Sequence, residues 1–176
     1  MSLIQTAVVS RATDPGVIGP ELLRHTLSSF PTGVVGVCTL VGGVPVGMVA
    51  NSFTSVSLDP PLVSVCVDNR SSTWPTLRLG QRIGVSVLAE DHGEVCWQLA
   101  ARSGDRFAGV DFDVTQGGAV LLRRASAWFE CVLNREIRAG DHRIVLLEVK
   151  AMDGGPSVRP LVFHGSQLHQ LSPNCA

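Results

Sequence analysis

Hydrophobic and polar positions change period several times along the chain, and each change marks an element. Behind Gly19-Pro20, the residues Leu22, Leu23, Thr26, Leu27 and Phe30 recur at the spacing of one helix face, predicting a short packing helix over residues 20–30. After Gly33 the pattern turns β-branched. Val34, Val35, Val37, Thr39 and Val41 lead to Gly42-Gly43, a two-residue turn signal, and an apolar run resumes over 44–48, so a hairpin is predicted. Further strands are predicted at 56–58, 62–67 and 83–88. The last two are nearly continuous in apolar content, the pattern of strands buried on both faces. Residues 73–79 have room only for a short helix.

Over 91–101, Val95, Leu99 and the apolar part of Trp97 fall at helical spacing. Glu94 stands early in that stretch, where a carboxylate suits the helix dipole. A Gly/Asp-rich loop is predicted for 103–118. Two long strands follow, 127–137 and 142–152, joined around Ala139-Gly140-Asp141 as a second hairpin. A last strand at 161–164 meets Gly165, which turns the chain into 167–171. Some seven strands, few helices and no β-α alternation predict a mainly-β, barrel-like sheet with peripheral helices. The expected organisation is an N-terminal arm at 1–18, one domain at 19–171 and a short tail at 172–176.

Composition adds one constraint to this picture. Hydrophobic residues make up 45% of the 176 and charged ones 16%, with mean hydropathy +0.27, so the chain is more apolar than an average soluble domain. The excess requires a dense core or cover by another subunit. No stretch reaches the length of apolar sequence a spanning helix needs, and the first residues lack the basic start and continuous apolar middle of a secretory leader. A net charge of -1 gives no basic excess for nucleic acid or an anionic membrane, which leaves a small molecule as the expected ligand. Five cysteines, odd in number and without a Cys-x-x-Cys, support neither a disulfide framework nor a zinc knuckle, and a cytoplasmic location is expected.

Several familiar chemistries are excluded by inspection. There is no Gly-x-Gly-x-x-Gly opening a helix, no P-loop, no His-Glu-x-x-His and no nucleophile elbow. What stands out is a pair of polar clusters beside apolar strands: Asn51-Ser52-Phe53-Thr54-Ser55, and Asn69-Arg70-Ser71-Ser72-Thr73. Short hydroxyl and amide side chains with free backbone N–H groups at strand ends suit phosphate oxygens and the polar edge of a planar ring. Ser72-Thr73 also stands at a predicted helix start, where an anion is favoured, and Arg70 adds charge. The plainer alternative is that Ser72 or Thr73 caps the helix and the first cluster is an ordinary turn.

The run Gly47-Met48-Val49-Ala50-Asn51-Ser52-Phe53-Thr54-Ser55-Val56-Ser57-Leu58-Asp59-Pro60-Pro61-Leu62-Val63 resembles the signature segment of the flavin reductase family with the FMN-binding split-barrel fold. Further matches follow in order: Arg70-Ser71-Ser72-Thr73, Asp105-Arg106-Phe107-Ala108-Gly109-Val110, Gly140-Asp141-His142 and Pro160-Leu161-Val162-Phe163. The resemblance is strongest to the short reductase components of two-component flavin-dependent monooxygenases. It implies a homodimer of six-stranded split β-barrels with the flavin ring in a groove near the subunit interface. Carried over by position, it implies that Gly47, Met48 and Val49, with Ala50 in the same run, line the ring largely through backbone atoms. Asn51 and Ser52 would bond its polar edge or the ribityl chain, and Cys66, Val67 and Asp68 would form the adjoining wall. Ser72 and Thr73 would take the phosphate with Arg70 nearby, Phe107 would pack near the cofactor, and His142 would meet the nicotinamide.

The reaction so implied is hydride transfer from NADH or NADPH to FMN, with FAD as the other acceptor, and release of reduced flavin to a separate monooxygenase. Two rivals share the residues: a self-contained flavoenzyme with tightly bound FMN, and a non-enzymatic flavin carrier or sensor. The choice of hydride donor has no signature here, since no acidic residue follows a glycine-rich turn to read a ribose.

Overall fold

The structure is a computed structural model and describes residues 18–172. The expected arm, apart from Ile18, and the expected tail, apart from Ser172, lie outside the described residues.

Helix α1 (Pro20–Leu27) leads to a short strand, β1 (Thr32–Gly33). The first hairpin is β2 (Val35–Val41) and β3 (Val44–Ala50). Its turn residues Gly42 and Gly43 have φ of 58° and 82°, the left-handed pair a two-residue hairpin turn demands. Then come β4 (Thr54–Leu58), β5 (Pro61–Asp68), the single turn of α2 (Trp74–Leu77), β6 (Ile83–Val87) and α3 (Gly93–Ala100). A small hairpin, β7 (Phe112–Val114) with β8 (Val120–Leu122), precedes the long pair β9 (Ala127–Ala139) and β10 (His142–Gly154), and the chain closes with β11 (Leu161–His164) and β12 (Gln167–Gln170).

Seven strands form one antiparallel sheet in the order β3-β2-β6-β9-β10-β5-β4, and β1-β11-β12 make a second, small one. The large sheet wraps around a core of Val37, Val65, Val85, Val145 and Leu147, into which α2 drops Trp74 and Leu77. The Trp74 Nε1 donates to Glu136 Oε1 at 2.5 Å, so the indole enters the core with its one polar atom satisfied. A second core lies on the outer face of the sheet, where Cys38, Leu88, Leu99, Phe107, Val120 and Leu122 join β2 and β6 to α3 and the small hairpin. Strand β2 therefore packs on both faces, Val35 and Val37 inward and Cys38 outward, which is why its residues read as an unbroken apolar run. Burial holds the Cys38 and Cys131 thiols up at about 12, so both stay neutral members of the packing. The four described cysteines are free.

Two expectations need correction. The stretch 103–118 is not simply a loop, since Phe112–Val114 pairs with Val120–Leu122. Strands of three residues are too short to show a period, and Gly117-Gly118 masks them further. Helix α1 ends at Leu27, and it buries none of its residues: Leu22, Leu23 and Leu27 stay exposed, with Phe30 beyond them 72% exposed. It is amphipathic as predicted, but among the described residues its apolar side is not buried.

The sheet has no ladder between its first strand and β5. The seam is joined instead by Ser52, just past β3, whose Oγ accepts from the Cys66 N–H at 2.8 Å and donates to the Cys66 carbonyl at 3.2 Å. One hydroxyl thus supplies both the donor and the acceptor that a neighbouring strand residue would have offered. Ser52→Ala is expected to cost about 1 kcal/mol of stability, the usual net worth of such bonds at a site open to water. Chemical denaturation checks this, and an unchanged midpoint would remove the role assigned to the hydroxyl.

Candidate functional site

A cleft of about 580 Å³ opens where β3 faces the segment that follows β5. Met48 and Val49 form one side, Asp68 and residues 70–73 the other, and Leu99, Ala100, Arg102 and Arg106 close the end. Because β3 is the edge of the large sheet, its outward N–H and C=O groups have no strand partner and face the cleft side. A flatter approach to that edge is kept by Gly47. A Cβ there would lie 2.6 Å from Cys38 Sγ and 2.7 Å from Phe107 Cζ, so the phenyl ring packs where a side chain would otherwise stand.

The polar end is organised by Arg106. Its Nη1 donates to the Gly47 carbonyl at 3.0 Å and to Thr73 Oγ1 at 2.6 Å, tying the edge strand to the start of α2 across the cleft. Thr73 and Ser72 do not cap the helix with their side chains; Ser71 Oγ accepts the Trp74 N–H at 3.2 Å instead. With α2 only four residues long, little dipole reaches this point, and the positive potential comes from the arginines.

Arg70 is engaged elsewhere. Its Nε and Nη2 donate to the two oxygens of Asp68 at 3.2 and 2.9 Å, and its backbone N–H donates to the same carboxylate at 2.7 Å. These bonds hold the Asp68 carboxyl down at about 2. A depressed folded value means that the pair is intact above the ordinary carboxylate range, near ~3.9, and opens only as pH falls through about 2. A carboxyl-carbon NMR titration of Asp68 is expected to show this low midpoint, and a midpoint in the ordinary range would contradict the pairing.

His142 begins β10, directly across from Asp68 on β5. Its Nδ1 lies 2.7 Å from Asp141 Oδ1, and the ring is 43% exposed. The turn that carries it is clamped to the end of β5, since Asn69 donates through its backbone N–H to the Asp141 carbonyl at 2.9 Å and through Nδ2 to the Gly140 carbonyl at 3.2 Å. His142 therefore stands on the rim beside Asp68 and does not line the cleft itself.

Of the residues singled out from sequence, the cleft gathers Met48, Val49, Asp68, Arg70, Ser72 and Thr73. Gly47 and Phe107 line an adjoining lobe of about 370 Å³ that shares Ser72 and Thr73 with it. Asn51 and Ser52 face a separate groove beside Phe30, Phe53 and Phe163, and Ala50 lies beneath a small hollow with Asn51 and Trp97. The Val67 side chain is buried in the barrel core, while that of Cys66 points outward. Ser71, Leu99, Ala100, Arg102 and Arg106 also line the cleft without a predicted role; of these, Arg106 bridges the walls and Arg102 lines both lobes. The Asp105-Arg106-Phe107 run was the available signal, but only the phenylalanine was drawn from it.

The donor set fits a phosphorylated planar cofactor: an unpaired strand edge for ring polar atoms, the apolar side chain of Val49 for its face, and two hydroxyls beside a guanidinium for the phosphate. Among the described residues no group of three metal-ligating side chains occurs, and no helix is long and apolar enough to cross a membrane.

Comparison with known proteins identifies the family. Residues 27–172 match the family described as flavin reductase like domain, and the chain belongs to that family. It is 33% identical to the reductase subunit of a flavin-dependent monooxygenase from Rhodococcus jostii, over 89% of this chain and 80% of that protein. It is 38% identical to the stachydrine N-demethylase reductase subunit of Rhizobium meliloti over 77% of this chain. The chain spans only 59% of that relative's length and 44% of a second Rhizobium meliloti relative, with which it shares 39% identity. Among solved structures, the NADH:FAD oxidoreductase of Streptomyces globisporus, in complex with NAD and FAD fragments, superposes with a TM-score of 0.84 at 35% identity, covering 91% of this chain and 99% of that one. The fold is thus the split barrel of flavin reductases, mainly β with peripheral helices, as the resemblance implied.

Proposed function

We propose that this protein is an NAD(P)H-dependent flavin reductase that reduces FMN or FAD and passes the reduced flavin to a separate monooxygenase. The observation that carries the reading is the cleft itself, in which the open edge of β3 faces Ser72, Thr73 and Arg106 within a flavin reductase like domain. The partner oxygenase is inferred from relatives described as reductase subunits of monooxygenase and demethylase systems.

When bound, the flavin supplies the redox chemistry by accepting hydride from the reduced nicotinamide. The chain's task is alignment. The backbone of residues 47–49 orients the ring edge, Ser72, Thr73 and Arg106 hold the phosphate, and His142, fixed by its clamped turn beside Asp68, positions the dinucleotide on the rim. Residues that hold and orient both ligands would remove much of the entropic barrier, so the chain would need no acid or base of its own for hydride transfer. The uncovered apolar face of α1 and the groove at Phe30 and Phe163 support a homodimer in which a second copy covers them.

The test is anaerobic stopped-flow bleaching of the oxidised flavin band by NADH or NADPH, with FMN, FAD or riboflavin in excess over protein. Multiple turnovers are expected. Bleaching of a single bound equivalent would replace the reading with a self-contained flavoenzyme, and binding without bleaching would replace it with a carrier.

A further inference from the structure

The second lobe extends past the residues assigned to the ring and the phosphate, toward Pro45, Val46, Thr76 and residues 103–105. It adjoins the main cleft, and Ser72, Thr73, Arg102 and Arg106 line both. Val46 and the edge of the largely buried Phe107 are among its lining residues and offer apolar contact to a second base. The cations at the junction are unequal. Arg70 is occupied by Asp68, and Arg106 is fixed between Gly47 and Thr73 beside the phosphate hydroxyls. Arg102 has no ion pair or side-chain hydrogen bond among the described residues, and it stands where the two lobes meet. A monophosphate is served by Arg106 with the two hydroxyls; a second guanidinium at the waist matches a second phosphate.

We propose that the second lobe holds an adenylate joined through a pyrophosphate, that its source is FAD, and that Arg102 makes this protein prefer FAD to FMN. The proposal rests on the flavin reductase reading and goes beyond it by choosing the flavin and naming the residue that distinguishes the two. The same adenylate chemistry occurs in the nicotinamide donor, so the experiment separates the two sources.

FAD, FMN and riboflavin are titrated against the whole protein by fluorescence without any nicotinamide, then again with 5′-AMP present. FAD is expected to bind about tenfold tighter than FMN or more, the worth of one added charge-assisted contact. AMP should weaken FAD binding and leave riboflavin binding as it was. Arg102→Gln should narrow the FAD-to-FMN ratio toward unity, with Arg102→Lys restoring part of it by returning the charge. Equal or tighter binding of FMN overturns the proposal while leaving the reductase reading intact. So does AMP that raises the KM for NADH, with riboflavin as acceptor, without competing with FAD, because that assigns the lobe to the donor. Failure of all three flavins to bind is a different result, and it removes the reductase reading together with the proposal.

Discussion

Arg106→Ala is expected to weaken flavin binding by roughly 10–100-fold, the range for losing charge-assisted hydrogen bonds at a binding site. The guanidinium carries two roles at once. It offers positive charge beside Ser72 and Thr73, and its Nη1 spans from the Gly47 carbonyl to Thr73 Oγ1, which sets the distance between the cleft walls. Lysine at this position keeps the charge but not the planar array of donors, so Arg106→Lys should recover only part of the affinity. Fluorescence titration of the variants, with thermal melts to confirm that they fold, checks the point. An affinity unchanged in Arg106→Ala would show that the phosphate is held elsewhere.

Gly47→Ala should damage stability and binding together. The added methyl meets Cys38 Sγ at 2.6 Å and Phe107 Cζ at 2.7 Å. Cys38 is wholly buried, so the strain falls on Phe107, which is itself 9% exposed and packed edge-on to Phe112 with ring centroids 5.6 Å apart. Overpacking of this kind costs about 1–3 kcal/mol. At this chain length each kcal/mol lowers the melting temperature by roughly 2–4 °C. Movement of Phe107 also disturbs the lining of the second lobe, so FAD affinity should fall in the same variant. A melt and a titration that both match the parent protein would show that the ring yields freely and that the close approach has no consequence.

Much of the architecture was legible because it follows from local periods. The run from Val34 through Val41, the Gly42-Gly43 turn and the 127–152 hairpin each declare their own geometry, and the structure extends them by only a few residues. What periodicity cannot state is who covers a face. The stripe of Leu22, Leu23 and Leu27 is the same stripe whether it meets its own barrel or another chain, and among the described residues nothing buries it. The polar clusters were visible as compositional anomalies, and their signature segment fixed which residues to expect near a flavin. Their division of labour was not visible. That Arg70 is paired with Asp68 while Arg106 reaches Gly47, 59 positions away in sequence, depends on how the sheet curls. The hydroxyl of Ser52 reads as a ligand in sequence; in the fold it is also the link to Cys66.

That link bears on motion. A sheet fastened along six of its strand boundaries by ladders and at the seventh by one side chain has a preferred line of parting, and the amide of Cys66 lies on it. In hydrogen exchange this amide should therefore lose protection through small local openings rather than through collapse of the whole barrel, unlike its neighbour Val65 in the packed interior. The parting line runs beneath the cleft at Met48 and Asp68. Under the proposed function, a flavin released at each turnover would meet the molecule where it opens most readily, and its residence time would become a property of the seam.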